Sequence, residues 1–170
     1  MDNRFFLFRI DSRLVHGQVC TRWIPEMQVK RVVIVNDIYA QDKFLCDLHA
    51  MVVPKGCVCD TIDSETALQQ WNENQFGPQN TIVIFQTIAD AMRVIRLGIP
   101  IKDVQIATLA GTKNSVTIYK QVNVTPEDAK LLCEMHDMGI RAYCQMYAGE
   151  PEQDVMDLMN QKKFKDKLGL

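Results

Sequence analysis

The chain alternates short apolar runs with stretches whose apolar residues recur at helical spacing. Phe5 to Ile10 is a compact apolar run that closes on Asp11, and it predicts a first strand. Arg31 to Asn36 (RVVIVN) is a stronger run, of the continuous Val/Ile kind that suits a strand buried on both faces of a parallel sheet. Cys57 to Ile62, Thr81 to Phe85, Val104 to Ala107 and Arg141 to Met146 read the same way. Between them lie helical patterns. Phe44, Leu45, Leu48, Met51 and Val52 form one, halted by Pro54 and Gly56, and Ala67, Leu68 and Trp71 form another behind the acidic start Asp63-Ser64-Glu65. Ile88, Ala91, Met92 and Ile95 follow Thr87, which stands three residues before Asp90 as in a capping box, and Gly98 with Pro100 ends that helix. Thr125-Pro126-Glu127-Asp128 joins a cap, a first-turn proline and acids that face the helix dipole, ahead of Leu131, Leu132, Met135 and Met138. A last helix is expected from about Pro151, with Val155, Leu158 and Met159 on its apolar side and a basic tail from Lys162 to Lys167. The stretch from Gly111 to Val124 is the least regular and reads as one or two short strands or a loop.

Strands alternating with helices predict an α/β fold: a mostly parallel central β-sheet with helices on both faces. A length of 170 residues suits a single domain spanning 1–170. Ligands of such sheets bind beyond the carboxyl ends of the strands. The loops to inspect are therefore Asp11 to His16, Asn36 to Asp42, Gln86-Thr87 and Thr108 to Ser115. No Gly-x-Gly-x-x-Gly follows the first strand, and Ala110 to Ser115 lacks the spacing of a phosphate-binding loop, so a nucleotide site is poorly supported.

Composition narrows the function classes. With 19 basic and 21 acidic residues the net charge is -2, which argues against a nucleic-acid binder that works by neutralising phosphates. No apolar run approaches the roughly 18 residues that would cross a bilayer, so direct membrane insertion is not expected. The N-terminal stretch has neither the long apolar region nor the cleavage site of a signal peptide. The six cysteines are expected as free thiols: apolar residues make up 47% of the chain, enough for a core without disulfides. Only Cys57-x-Cys59 approaches a zinc-ligand pair, with no second pair, so no metal site is expected.

The first loop is chemically dense. RIDSRLVHGQV places Arg9, Asp11, Arg13 and His16 within eight residues at the end of a strand. Histidine titrates nearest neutrality, and its neutral ring is a nucleophile toward phosphorus. Arginines suit a multiply charged oxyanion, and a carboxylate can hold an arginine or fix the imidazole tautomer. Gly17 permits close backbone approach, and the helix that follows offers amides at its start. The residues describe a site that could accept a phosphoryl group; a solvated surface histidine among solvated arginines is the competing reading. His49 and His136 lie beside apolar stripes and read as helix-surface residues, and Trp23 reads as a packing residue close enough to the loop to serve in docking.

The segment RIDSRLVHGQVCTRWI resembles the phosphorylation-site segment of the IIB components of the sugar phosphotransferase system, mannose/fructose/sorbose family. VVIVNDIYAQD, the Phe85-Gln86-Thr87 turn and Val122 to Asp128 extend the resemblance over nearly the whole chain. The resemblance implies that His16 accepts a phosphoryl group, at Nδ1, from a phosphohistidine on a IIA protein or domain. It then passes that group to a sugar held by membrane-embedded IIC and IID components. Asp11 and Arg13 would act with His16, Arg9, Gly17 and Gln18 would bind the phosphoryl group, and Asn36, Asp37, Asp42, Gln86 and Thr87 would border the pocket. No metal or other cofactor is implied. A cytoplasmic location with peripheral association to the permease is implied, and the oligomeric state, a homodimer included, stays open. One segment departs from the family pattern. Where the family has Asn-x-Gly-Gly-Met, this chain has Gln105-Ile106-Ala107-Thr108-Leu109, and Asn114 replaces a later glycine that it could match by a left-handed turn. That departure motivates a second reading, a regulatory or binding module that keeps the fold without feeding a transporter.

Overall fold

The computed structural model describes residues 3–170 and places seven strands in one sheet. In chain order these are β1 (Phe6–Asp11), β2 (Arg31–Val35), β3 (Val58–Ile62), β4 (Thr81–Phe85), β5 (Asp103–Thr108), β8 (Arg141–Cys144) and β9 (Gln153–Asp154), with the hairpin β6 (Val116–Tyr119) and β7 (Val122–Val124) standing apart. The sheet order is β3-β2-β4-β1-β5-β8-β9; all neighbours pair in parallel except β9, which runs antiparallel to β8. β1 is therefore central, and its carboxyl end opens between those of β4 and β5.

Alternation along β1 assigns its side chains to two cores. Phe8 and Ile10 face a core shared with α3 (Ser64–Asn74), α4 (Ile88–Leu97), α5 (Pro126–Asp137), α6 (Val155–Met159) and α7 (Lys162–Leu168). Leu7 faces a smaller core with Val32, Ile34, Ile82 and Ile84, roofed by Leu14, Val19, Trp23 and Ile24. That roof is the chain just after the first loop, a wide turn over Val19–Trp23 with π-helical bonding that runs into α1 (Ile24–Glu26). The capping box expected at Thr87 forms, and the cap expected at Thr125 forms as a second box. Thr87 accepts from the Asp90 amide while Asp90 accepts from the Thr87 amide, and Thr125 and Asp128 repeat the exchange at α5.

Three expectations change. The last helix is two, α6 and α7, preceded by the short strand β9, because Asp154 caps Met156 and Asp157 and Gln161 starts a new helix. The irregular stretch holds two short strands, one of the readings given, as the hairpin β6–β7; what changes is that its left-handed residue is Lys120 (φ 40°) rather than Asn114. The third concerns α2 (Lys43–Val52), whose apolar stripe points outward. Phe44 is 73% exposed and Met51 81%, and none of the helix's residues is buried, because α2 meets the sheet at its edge strand β3, where Cys46 and His49 contact Thr61. All six cysteines are free, and burial pushes the Cys59 and Cys144 thiols up to about 12.

Candidate active site

Alternation that sends Phe8 and Ile10 to one core sends Arg9 and Asp11 to the other, beneath the Trp23 ring. Both side chains are fully buried. Asp11 is the hub. Its Oδ2 accepts from Arg9 Nη2 at 2.9 Å and meets His16 Nε2 at 2.9 Å. Its Oδ1 accepts from the Arg13 amide at 3.1 Å, Arg13 Nε at 3.2 Å and Thr108 Oγ1 at 2.7 Å. Burial alone would raise this carboxyl. The His16 hydrogen bond, the Arg9 charge and the Thr108 hydroxyl outweigh it and hold Asp11 well below the usual carboxylate range.

The loop between strand and helix is a tight turn. The Leu14 amide bonds to the Asp11 carbonyl at 2.9 Å, and Leu14 adopts a left-handed backbone (φ 56°) while its side chain is buried in the roof. That conformation costs roughly 1–2 kcal/mol in a residue with a Cβ, offset by the burial of an isobutyl group. The turn brings His16 back over Asp11, with 17% of the imidazole side chain exposed. An ionised carboxylate only accepts, so Nε2 carries the ring proton and Nδ1 keeps its lone pair. The Gln18 amide points at that Nδ1 over a long 3.3 Å. Arg13 reaches from the rim, 38% exposed, and its Nη2 bonds to Gln18 Oε1 at 3.1 Å. Gly17 is exposed, and a Cβ there would meet nothing within 4 Å, so open space lies in front of it.

Arg9 was expected on the phosphoryl group, and the structure places it elsewhere. Its Nη1 donates to Gln105 Oε1, its Nη2 also reaches the Met146 carbonyl at 3.3 Å, and its guanidinium carbon lies 5.4 Å from the Trp23 ring centroid. Trp23 Nε1 donates to the same Met146 carbonyl at 3.0 Å. Arg9 thus has no exposed surface from which to meet a ligand, because a central strand of a doubly covered sheet buries both of its faces. Trp23, 3% exposed, packs over Arg9 and is not available for docking.

The residues expected at the pocket border divide. Ser12, Gln86 and Thr87 line a cavity of about 320 Å³ beyond the ends of β1 and β4, with Leu109, Thr112 and Thr125. Asn36 Oδ1 accepts from the amides of Ile38 and Tyr39 and shapes the turn after β2, and its Nδ2 lies 3.5 Å from Gln86 Oε1. Asp37 and Asp42 do not join the site. Asp37 accepts from the Ser64 amide and hydroxyl at 2.8 and 2.6 Å and from Arg93 at 2.8 Å, and Asp42 caps α2 through the Leu45 amide at 3.2 Å. Each carboxylate is taken by a helix start, where orphan amides favour an acceptor. Of the other histidines, His49 bonds to Thr61 Oγ1 at 2.8 Å and His136 is exposed on α5. Among the described residues no group of three or more His, Cys, Asp or Glu is placed to hold a metal ion.

Ser12 and Thr108 lie in the loops singled out from the sequence and Gln105 in the departing segment, but none of the three was named as a site residue. An irregularity in the β1–β5 pairing brings Thr108 in: Arg9 pairs with Gln105 and Ile10 with Ile106, but Asp11 pairs with Thr108, leaving Ala107 as an extra residue on β5. The long run of apolar and polar positions in β5 carries no sign of that step.

The fold and loop together define a parallel α/β domain that presents one histidine, backed by a buried carboxylate, at the rim of its sheet. Residues 5–168 match the family model described as the PTS system sorbose subfamily IIB component, and the chain belongs to that family. It is 26% identical over 158 residues to the sorbose-specific EIIB component of Klebsiella pneumoniae, covering 93% of this chain and 96% of that one. It is 27% identical over 154 residues to the mannose-specific EIIAB component of Escherichia coli (strain K12), covering 91% of this chain; the chain spans about half, 48%, of that longer relative. The crystal structure of the IIBSor domain of the Klebsiella pneumoniae sorbose permease superposes with a TM-score of 0.83 at 26% identity, over 94% of this chain and 98% of that one. Among the described residues no helix is long and apolar enough to cross a membrane.

Proposed function

We propose that this chain, acting as a single IIB domain, is a phosphocarrier of a sugar phosphotransferase system, with His16 as the acceptor. The observation that carries the reading is the 2.9 Å contact between His16 Nε2 and the buried Asp11 carboxylate, which leaves Nδ1 as the ring's lone-pair nitrogen. In the first step the phosphorus–nitrogen bond of a IIA phosphohistidine breaks as a bond from phosphorus to His16 Nδ1 forms, and the donor imidazole leaves with its electron pair. In the second, the oxygen of a sugar hydroxyl held by the IIC and IID components bonds to phosphorus as the phosphorus–Nδ1 bond breaks, the electron pair of that bond returns to Nδ1, the hydroxyl proton passes to solvent, and His16 regains its resting form. Arg13 and Gln18 would bind the transferred oxygens: the Gln18 amide lies 3.3 Å from Nδ1, and the 3.1 Å bond between the two side chains is exposed and exchangeable for bonds to phosphate. Asp11 is the partner that steadies positive charge on the substituted ring. Arg9 serves this reaction by holding Asp11 rather than by touching phosphate. The carrier works on the cytoplasmic side, docking on the permease from solution.

Incubation with phosphoenolpyruvate, the general phosphotransferase proteins and a IIA protein tests the reading. Wild-type chain is expected to take up acid-labile phosphate at His16, and His16→Ala none. Equal labelling of the two, or no labelling of the wild type with any IIA, overturns it.

A further inference from the structure

Thr108 ends β5, and the β1–β5 step aims its side chain at Asp11. A threonine hydroxyl has one proton, and an ionised carboxylate can only accept. The 2.7 Å contact to Oδ1 therefore uses that proton. It follows that Ser12 Oγ, 3.1 Å from Thr108 Oγ1, is the donor in their contact. The Ser12 amide also bonds to the Thr108 carbonyl at 3.1 Å, so backbone and side chain are tied at the same place. The protons are ordered from Ser12 to Thr108 to Asp11, and on the far oxygen from His16 to Asp11.

The donors to Oδ1 differ in how firmly they are held. Arg13 supplies two, at 3.1 and 3.2 Å, from an exposed loop residue. Thr108 supplies the shortest, from a buried strand in the middle of the sheet. A partial rotation of the carboxylate about its bond to Cβ would carry the facing oxygen away from His16 Nε2 and lengthen that contact. A fixed donor on one oxygen opposes that rotation.

We propose that Thr108 is a positioning residue for phosphoryl transfer, locking the Asp11 carboxylate through Oδ1 so that Oδ2 holds His16 in its Nε2–H form. The inference rests on His16 being the phosphoryl acceptor for its consequence, but the lock is measurable without transfer. Ring nitrogen NMR on ¹⁵N-labelled protein, at a pH where His16 is neutral, reports which nitrogen carries the proton. Wild type is expected almost wholly as Nε2–H. Thr108→Val keeps the shape and removes the donor. It is expected to raise the Nδ1–H share several-fold and to slow phosphoryl acceptance about ten- to a hundredfold, the scale of losing one hydrogen bond to a charged group. Thr108→Ser should restore both. Thr108→Cys, whose thiol is a weak donor of near-native size, gives the same test should the valine variant not fold. An unchanged tautomer in Thr108→Val or Thr108→Cys overturns the proposal whatever the rate, as does a shift that Thr108→Ser fails to reverse. A wild-type chain that accepts no phosphate overturns the transfer reading separately, and the tautomer comparison still decides whether Thr108 holds the pair.

Discussion

Replacing Asp11 by asparagine keeps the size of the side chain and removes the charge at the centre of the site. Five donors converge on the two carboxylate oxygens, two on Oδ2 and three on Oδ1. An amide offers one accepting oxygen and one donating nitrogen. With the oxygen toward Arg9 and His16, the amide nitrogen confronts two Arg13 donors. With the amide reversed, it confronts Arg9. Either way donors face donors, and Arg9 keeps a charge in a place with no exposed surface and no carboxylate beside it. Removing one partner of a buried ion pair costs about 3–5 kcal/mol, a large part of the roughly 5–15 kcal/mol that holds a domain together. Because both groups are fully buried, solvent screening does not dilute that figure. Urea unfolding of Asp11→Asn is expected to show a loss of about 3 kcal/mol or more, with phosphoryl acceptance down by more than a hundredfold. The double variant Arg9→Met/Asp11→Leu separates the two effects. It removes both charges, so most of the stability should return, while acceptance should not. An Asp11→Asn chain that loses less than about 1 kcal/mol and labels at the wild-type rate would refute the reasoning.

Three further outcomes follow from the same geometry. Arg13→Ala should slow phosphoryl acceptance about tenfold or more while unfolding within about 1 kcal/mol of wild type, because its side chain is partly exposed and Asp11 keeps its other donors; cooperative unfolding at a much lower temperature would make Arg13 structural instead. The native Asp11 carboxyl ionises well below its ordinary value of 3.8, so the stability it contributes is complete above that value and drains away as pH falls through the lower native one. The slope of unfolding free energy against pH between about pH 4 and 2 should therefore be shallower in Arg9→Met/Asp11→Leu than in wild type, and equal slopes would contradict the assignment. Asp63→Ala removes the side-chain cap of α3, which accepts from the Thr66 amide at 2.7 Å, and should cost about 1 kcal/mol in urea unfolding, with phosphoryl acceptance unchanged.

Much of this site was written in the loop itself. Asp11, Arg13, His16 and Gln18 lie within eight residues, and a tight turn needs no distant information to bring them together. The central strands were legible for a related reason: continuous Val/Ile runs have few other places to go. What local pattern could not convey was direction. The stripe Phe44, Leu48 and Met51 has helical spacing whichever way it faces, and only the packing of α2 on edge strand β3 leaves it to solvent. Arg9 was a partial exception. It shares a strand face with Asp11 at a spacing of two, and a central strand leaves neither face open, so its burial could have been inferred. Asp37 and Asp42 sit at the right strand end but answer to helix starts, through the Ser64 and Leu45 amides, rather than to the site. Thr108 and Gln105 belong to a strand about a hundred residues away, and their contacts exist only once β5 lies beside β1.

The extra residue on β5 carries one more consequence. Along a regular strand, neighbours on one face are two apart, yet Gln105 and Thr108 attend the same pair of side chains at a separation of three. A chain that slid into even register would set the Ala107 methyl opposite Asp11 and leave the hydroxyl facing the other way. Two phases of the same sheet meet at this point, one serving Arg9 and one serving Asp11. The candidate site thus sits on a dislocation in an otherwise periodic lattice of backbone hydrogen bonds.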